Sequence, residues 1–114
     1  MTAMMQSTWT TACPVAALVP ERGVAVLLAD GAQVAVFLLH DGELVAVSNR
    51  DPFSGACVLS RGIVGDSDGE PTVASPMYKQ RFSLRTGRCL DDPAVAVGTY
   101  PVRVLDGVVQ VGSP

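Results

Sequence analysis

The sequence predicts an all-β domain, a sandwich or partly open barrel of short antiparallel strands. Three observations predict it. Eighteen of the 114 residues are valine and only 17% are charged, and β-branched side chains suit a pleated, half-buried surface. Asp-Gly or Thr-Gly pairs stand at 30–31, 41–42, 86–87 and 106–107, the residue pairs that tight hairpin turns favour. No window sustains an apolar period of 3.6, so no amphipathic helix longer than about two turns is expected.

The elements follow in order. Pro14 to Leu18 suggests a short turn of helix ahead of Pro20. Val24–Ala29, Gln33–Leu39 and Leu44–Ser48 are valine-rich runs separated by Asp30-Gly31 and Asp41-Gly42, and read as successive hairpins. From Asn49 to Pro76 prolines and glycines break the pattern, leaving strand-like fragments only at Cys57–Leu59 and Thr72–Ala74. A long irregular excursion from a small β domain is more often functional than slack. Arg81–Arg85 then alternates, with Phe82 and Leu84 on one face, and ends at Thr86-Gly87. Val102–Leu105, Asp106-Gly107 and Val108–Val111 close the chain as a last hairpin.

Composition bounds the function. At 11.9 kDa the chain is one domain, and it buries roughly two-thirds of its unfolded surface, enough for a core without staples. The net charge is −3, the pI about 4.8, and Lys79 is the single lysine. A nucleic-acid partner is therefore not expected, because phosphate neutralisation needs clustered Lys and Arg. The longest apolar runs are six residues, Val24–Ala29 and Val34–Leu39, against roughly 20 for a bilayer span. The start, MTAMMQSTWTT, has no basic or long apolar region, so the expectation is a cytoplasmic protein without a membrane contact. Cys13, Cys57 and Cys89 are odd in number with no CxxC pair, and read as reduced residues at core or edge positions.

Most candidate chemistry fails on its own terms. His40 sits beside a hairpin turn, and Ser75 precedes a proline without a nucleophile elbow, so a catalytic triad is not expected. Asp66-Ser67-Asp68-Gly69-Glu70 resembles half a calcium loop but lacks its distal glutamate, and reads as a solvated acidic turn. Arg61 to Gly65 has the spacing of a GxxG clamp without the helices and basic surface that clamp needs. Asp91-Asp92-Pro93 reads as an ordinary turn initiator.

One constellation remains. Asp51-Pro52-Phe53 and Ser75-Pro76-Met77-Tyr78 are two Pro-containing loops, the second leading into Arg81-Phe82-Ser83-Leu84-Arg85-Thr86-Gly87. This layout resembles Rieske iron–sulfur domains, which carry Cys-x-His in one loop and Cys-x-x-His in the other. Here the cysteine positions read Asp51 and Ser75, and the histidine positions read Phe53 and Tyr78. A Rieske cluster takes two thiolates and two imidazoles. Phe53 has no donor atom, and the other three offer only hard oxygens, poorly matched to iron already bonded to sulfide.

A closer resemblance covers roughly Ser7 to Val111. Trp9 with Cys13, Asn49-x-Asp51-Pro52-Phe53, Val58-Leu59-Ser60-Arg61-Gly62, Val73-Ala74-Ser75-Pro76-Met77-Tyr78-Lys79-Gln80-x-Phe82 and Gly87-x-Cys89-Leu90 occur in the order seen in one family. That family is the small subunit of assimilatory NAD(P)H-dependent nitrite reductase. The resemblance implies a Rieske-like (ISP-type) domain over residues 7–112. Residues 49–80 would correspond to the cluster-binding subdomain, after an N-terminal tail, 1–6. It also implies an accessory, non-redox subunit of a cytoplasmic enzyme that reduces nitrite to ammonium. FAD, the NAD(P)H site, siroheme and an iron–sulfur cluster would all lie on the large subunit, leaving this chain with no catalytic, cofactor or metal residues. Phe53, Met77 and Tyr78 are expected to fill the space a cluster would take, while Asp51 accepts hydrogen bonds from backbone or Arg/Lys donors. The expected interface with the large subunit is Arg50, Pro52, Phe53, Arg61, Pro76, Met77, Tyr78 and Lys79, an apolar centre with charged edges. A Rieske-type ferredoxin or a stand-alone binding module are the alternatives.

Overall fold

The valine-rich runs pair as their turn residues dictate. The computed structural model describes residues 9–113; the expected tail, 1–6, and residues 7 and 8 lie outside the described residues. The strands are β1 (Trp9–Pro14), β2 (Gly23–Leu27), β3 (Gln33–Leu38), β4 (Leu44–Ser48), β5 (Ile63–Ser67), β6 (Glu70–Ala74), β7 (Arg81–Ser83), β8 (Val102–Leu105) and β9 (Val108–Gly112). They form three antiparallel three-stranded sheets, ordered β1-β9-β8, β2-β3-β4 and β5-β6-β7. In the first two hairpins the aspartate and glycine have separate roles. Asp30 and Asp41 each accept the N–H two residues on, at 2.9 Å, and Gly31 and Gly42 take φ near +91° and +92°.

The β2-β3-β4 sheet is the middle layer. One face, through Val34, Val36 and Ala46, packs on Val109, Val111 and Leu18. The other, through Ala35, Phe37 and Val47, packs on Leu59, Val73, Phe82 and Leu84. Burial on both faces explains why Val34–Leu39 is an unbroken apolar run rather than an alternating one. Val47 bridges Thr99, and the Tyr100 N–H donates to Ala46 O at 2.9 Å, so the free side of β4 is partly closed by the approach to β8.

Several expectations are corrected. β1 is a strand the valine pattern did not reveal; it pairs with β9 across an irregularity between Thr11 and Cys13. The middle of the chain is not irregular throughout. β5 and β6 form a hairpin from Ile63↔Ala74 to Ser67↔Glu70, closed by Asp68 and Gly69 at positive φ. The acidic segment is that turn, with Asp66 accepting the Gly69 N–H at 3.0 Å. β5 is an edge strand with little burial, so it carries no apolar alternation to read. Cys57–Leu59 is not a strand: Cys57 makes a single bridge with Arg50, and Leu59–Arg61 forms a 3-10 turn. The short helical turn near Pro14 is a 3-10 turn over Val15–Ala17. β7 stops at Ser83 because its hydroxyl accepts the N–H groups of Arg85 and Thr86, at 3.2 and 3.1 Å.

Candidate functional site

Two loops rise from one end of the β5-β6-β7 sheet, 49–61 and 75–80. The first is seated by close approach. A Cβ on Gly62 would stand 2.4 Å from Ala74 O and 2.6 Å from Val73. Gly62 has φ −74°, which any residue adopts, so glycine is needed here for space and not for its backbone freedom.

Asn49 ties the ends of that loop together. Buried at 1% exposure, it accepts the Ser60 N–H at 2.7 Å and donates to Cys57 O at 3.2 Å and Gln33 Oε1 at 3.3 Å. Its own N–H donates to Gln33 O. The motif contained Asn49 but gave it no role. The available signal was an amide side chain ending a run of buried valines, where a polar group must be satisfied.

The two loops meet at Asp51 and Ser75. Both are fully buried, and the Ser75 hydroxyl donates to Asp51 Oδ2 at 2.5 Å. Asp51 Oδ1 accepts the Phe53 N–H at 2.8 Å, and its backbone bonds Ala56 and Gly55. The Ser75 hydroxyl accepts the Met77 N–H at 3.2 Å, while its backbone closes on Lys79 and Gln80. Burial alone would push the Asp51 carboxyl up; hydrogen bonds from Ser75, Phe53 and Ser54 outweigh it and hold the group below its ordinary 3.8. The donors are a hydroxyl and backbone amides rather than the Arg or Lys side chains among those expected. Because Ser75 is committed to Asp51, it is not poised as a nucleophile on a histidine; His40 is exposed and lies 3.6 Å from Glu21.

The three residues expected to fill the space between the loops separate. Phe53 is half-buried and packs on the core, its ring centroid 6.2 Å from that of buried Phe82. Met77 and Tyr78 point outward instead, 49% and 60% exposed, because the Ser75–Gln80 turn carries them over its crest. Pro52, Pro76, Arg50, Arg61 and Lys79 are exposed as well. Lys79 takes φ +69° without being glycine, a conformation held by the turn around it. Of the cysteines, Cys89 is in the core, Cys13 is half-buried and Cys57 is exposed on the first loop, outside the core or edge positions expected; all are free thiols. Among the described residues no three His, Cys, Asp or Glu side chains converge as a metal-binding group.

This arrangement of three small sheets with two paired loops at one end is that of a known class. The family model described as Rieske-like [2Fe-2S] domain matches residues 8–112, and the chain belongs to that family, with the all-β fold expected. Within it the chain groups with nitrite reductase small subunits. It is 46% identical over 106 residues to the nitrite reductase (NADH) small subunit of Escherichia coli K12, covering 92% of this chain and 97% of that one. A crystal structure described as an NADH-dependent nitrite reductase small subunit from Mycobacterium tuberculosis superposes with a TM-score of 0.92. It is 56% identical, over 96% of this chain and 97% of that one. The Klebsiella oxytoca nitrite reductase [NAD(P)H] large subunit contains a stretch 43% identical over 105 residues, 92% of this chain and 11% of that protein.

Proposed function

We propose that this chain is the accessory small subunit of a cytoplasmic NAD(P)H-dependent nitrite reductase, docking through its loop end on the large subunit and carrying no redox centre itself. The observation that carries the docking is the Klebsiella oxytoca relative, in which the matching stretch is part of the large-subunit polypeptide. A domain that occurs both as a separate chain and fused to its partner has its working place beside that partner. Among the described residues no helix is long and apolar enough to cross a membrane.

The family description implies a [2Fe-2S] cluster, and the residues at this end do not fit one. Residues 49–80 hold the positions of the cluster loops, but Asp51 and Ser75 spend their oxygens on each other and on backbone N–H groups. Phe53 offers carbon only, and Tyr78 points to solvent. No thiolate or imidazole stands at any of the four ligand positions, and hard oxygen donors suit sulfide-bridged iron poorly. Electron transfer by this chain, as in a ferredoxin, is therefore disfavoured. FAD, the nicotinamide site, siroheme and an iron–sulfur cluster are assigned to the large subunit.

The test is co-expression with the large subunit of the same cell. Co-elution of the two chains and nitrite turnover that falls when this chain is omitted are expected. Full turnover without this chain, and no association, would refute the reading.

A further inference from the structure

Charge is segregated along the β5–β6 hairpin. Its turn end carries Asp66, Asp68 and Glu70, and a cleft beside that turn adds Glu21 and Asp41 together with His40 and Arg85, the last paired with Glu43. The loop end, where Ile63 pairs with Ala74, is the reverse. Of the carboxylates there, Asp51 is buried and Asp91 is held in an ion pair with Arg81, the neighbour of Ala74 in β7. Arg50 and Lys79 are exposed and take no part in an ion pair among the described residues. Arg61 is exposed too but shares a shallow depression with Glu21, so Arg50 and Lys79 carry the argument. A chain of net charge −3 thus presents a cationic end.

Apolar surface lies at the same end. Ile63, 74% exposed, has the highest exposure of the large apolar side chains described, and Met77 and Tyr78 stand on the neighbouring crest. Ile63 pairs beside Ala74, one residue before Ser75, and was no part of the interface the sequence suggested. Apolar anchors bordered by unpaired cations make a surface that complements apolar surface bordered by anions.

We infer that the loop end seats on an acid-bordered apolar depression of the large subunit, with Ile63, Met77 and Tyr78 as anchors and Arg50 and Lys79 facing carboxylates. This rests on the reading that this end docks there, and adds the chemistry of the surface that receives it. The acidic turn end, at the far end of the hairpin, is repelled by such a surface, so the charge separation also orients the encounter.

The test titrates the intact chain into the purified large subunit at two salt concentrations. Between about 0.05 and 0.5 M NaCl the affinity is expected to fall about tenfold or more, as screening removes the rim contribution. Arg50→Glu with Lys79→Glu weakens binding roughly tenfold at low salt and flattens the salt response. Asp66→Lys with Asp68→Lys, at the opposite end, leaves binding within about twofold. Met77→Asp with Tyr78→Asp weakens binding at both salts. Unchanged thermal unfolding verifies that each variant is folded. Salt-insensitive binding that survives the Arg50/Lys79 reversal but not the Met77/Tyr78 change overturns the acidic seat and leaves the docking end in place. Full binding by all the variants overturns both. Head-to-tail association of this chain with itself, seen by sedimentation in place of binding to the large subunit, overturns the inference in favour of a second copy.

Discussion

Ser75 and Met77 are two residues apart, yet one is 1% exposed and the other 49%. The base of the two loops is a buried polar clamp, Asp51 with Ser75 and Asn49 with Ser60, with Gln80 Oε1 at the end of the second loop buried without a partner among the described residues. The crest two residues away is apolar and cationic, with Met77 and Tyr78 half-exposed or more and Lys79 exposed. The difference is one of environment: hydrogen bonds hold the loops in register at the base, and in the proposed docking the exposed crest is left to meet the partner.

Breaking the base has the largest expected effect. Asp51→Ala leaves the Ser75 hydroxyl and the Phe53 N–H without their acceptor in a buried place, and is expected to cost about 3 kcal/mol in chemical denaturation. A loss below about 0.5 kcal/mol would show that the loops do not depend on this bond. Phe53→Ala comes next. A fully buried phenylalanine costs roughly 3–5 kcal/mol, and for this half-buried ring about 2 kcal/mol is expected, with the loss shared by Phe82 across the 6.2 Å contact.

Acid sharpens the comparison further. The Asp51 carboxyl is held below its ordinary 3.8 in the folded chain, so on acidification the unfolded chain takes up this proton first. Its contribution is complete above that ordinary value and drains away as the pH falls through it towards the folded one. Asp51→Asn should therefore flatten the acid limb of a stability–pH curve. An unaltered limb would assign acid sensitivity to other carboxylates. Smallest of all is the crest: Met77→Asp with Lys79→Glu should change stability by less than about 0.5 kcal/mol while lowering affinity for the large subunit. Undiminished binding would move the docking surface off this end.

The parts of this molecule differ in how plainly the sequence announces them. β3, β4 and the Asp-Gly turns are legible because burial and turn chemistry act locally: valine at buried positions, aspartate accepting the N–H two residues on, glycine at positive φ. β8, an exposed edge strand, is legible from its valines and the Asp106-Gly107 turn that follows. β1 is not, because its partner β9 lies at the other end of the chain, and β5 is not, because its largely exposed side chains carry no apolar alternation although its partner β6 follows at once. At the loop end the motif located Asp51 and Ser75 but not their contact, since a bond between residues 24 apart leaves no periodic trace. Nor could it tell that Phe53 turns inward while Met77 and Tyr78 turn out. That division is set by the closing bonds of the second loop, Ser75 N–H to Gln80 O and Lys79 N–H to Ser75 O.

Replacement of a metal centre by the Asp51–Ser75 clamp is tested most directly by iron and acid-labile sulfide analysis of the chain isolated without oxygen, with unfolding followed with and without chelator. The expected result is iron and sulfide at background and one cooperative transition that chelator does not shift. Two irons per chain, as the [2Fe-2S] family description would have it, together with a chelator-sensitive transition, would contradict it.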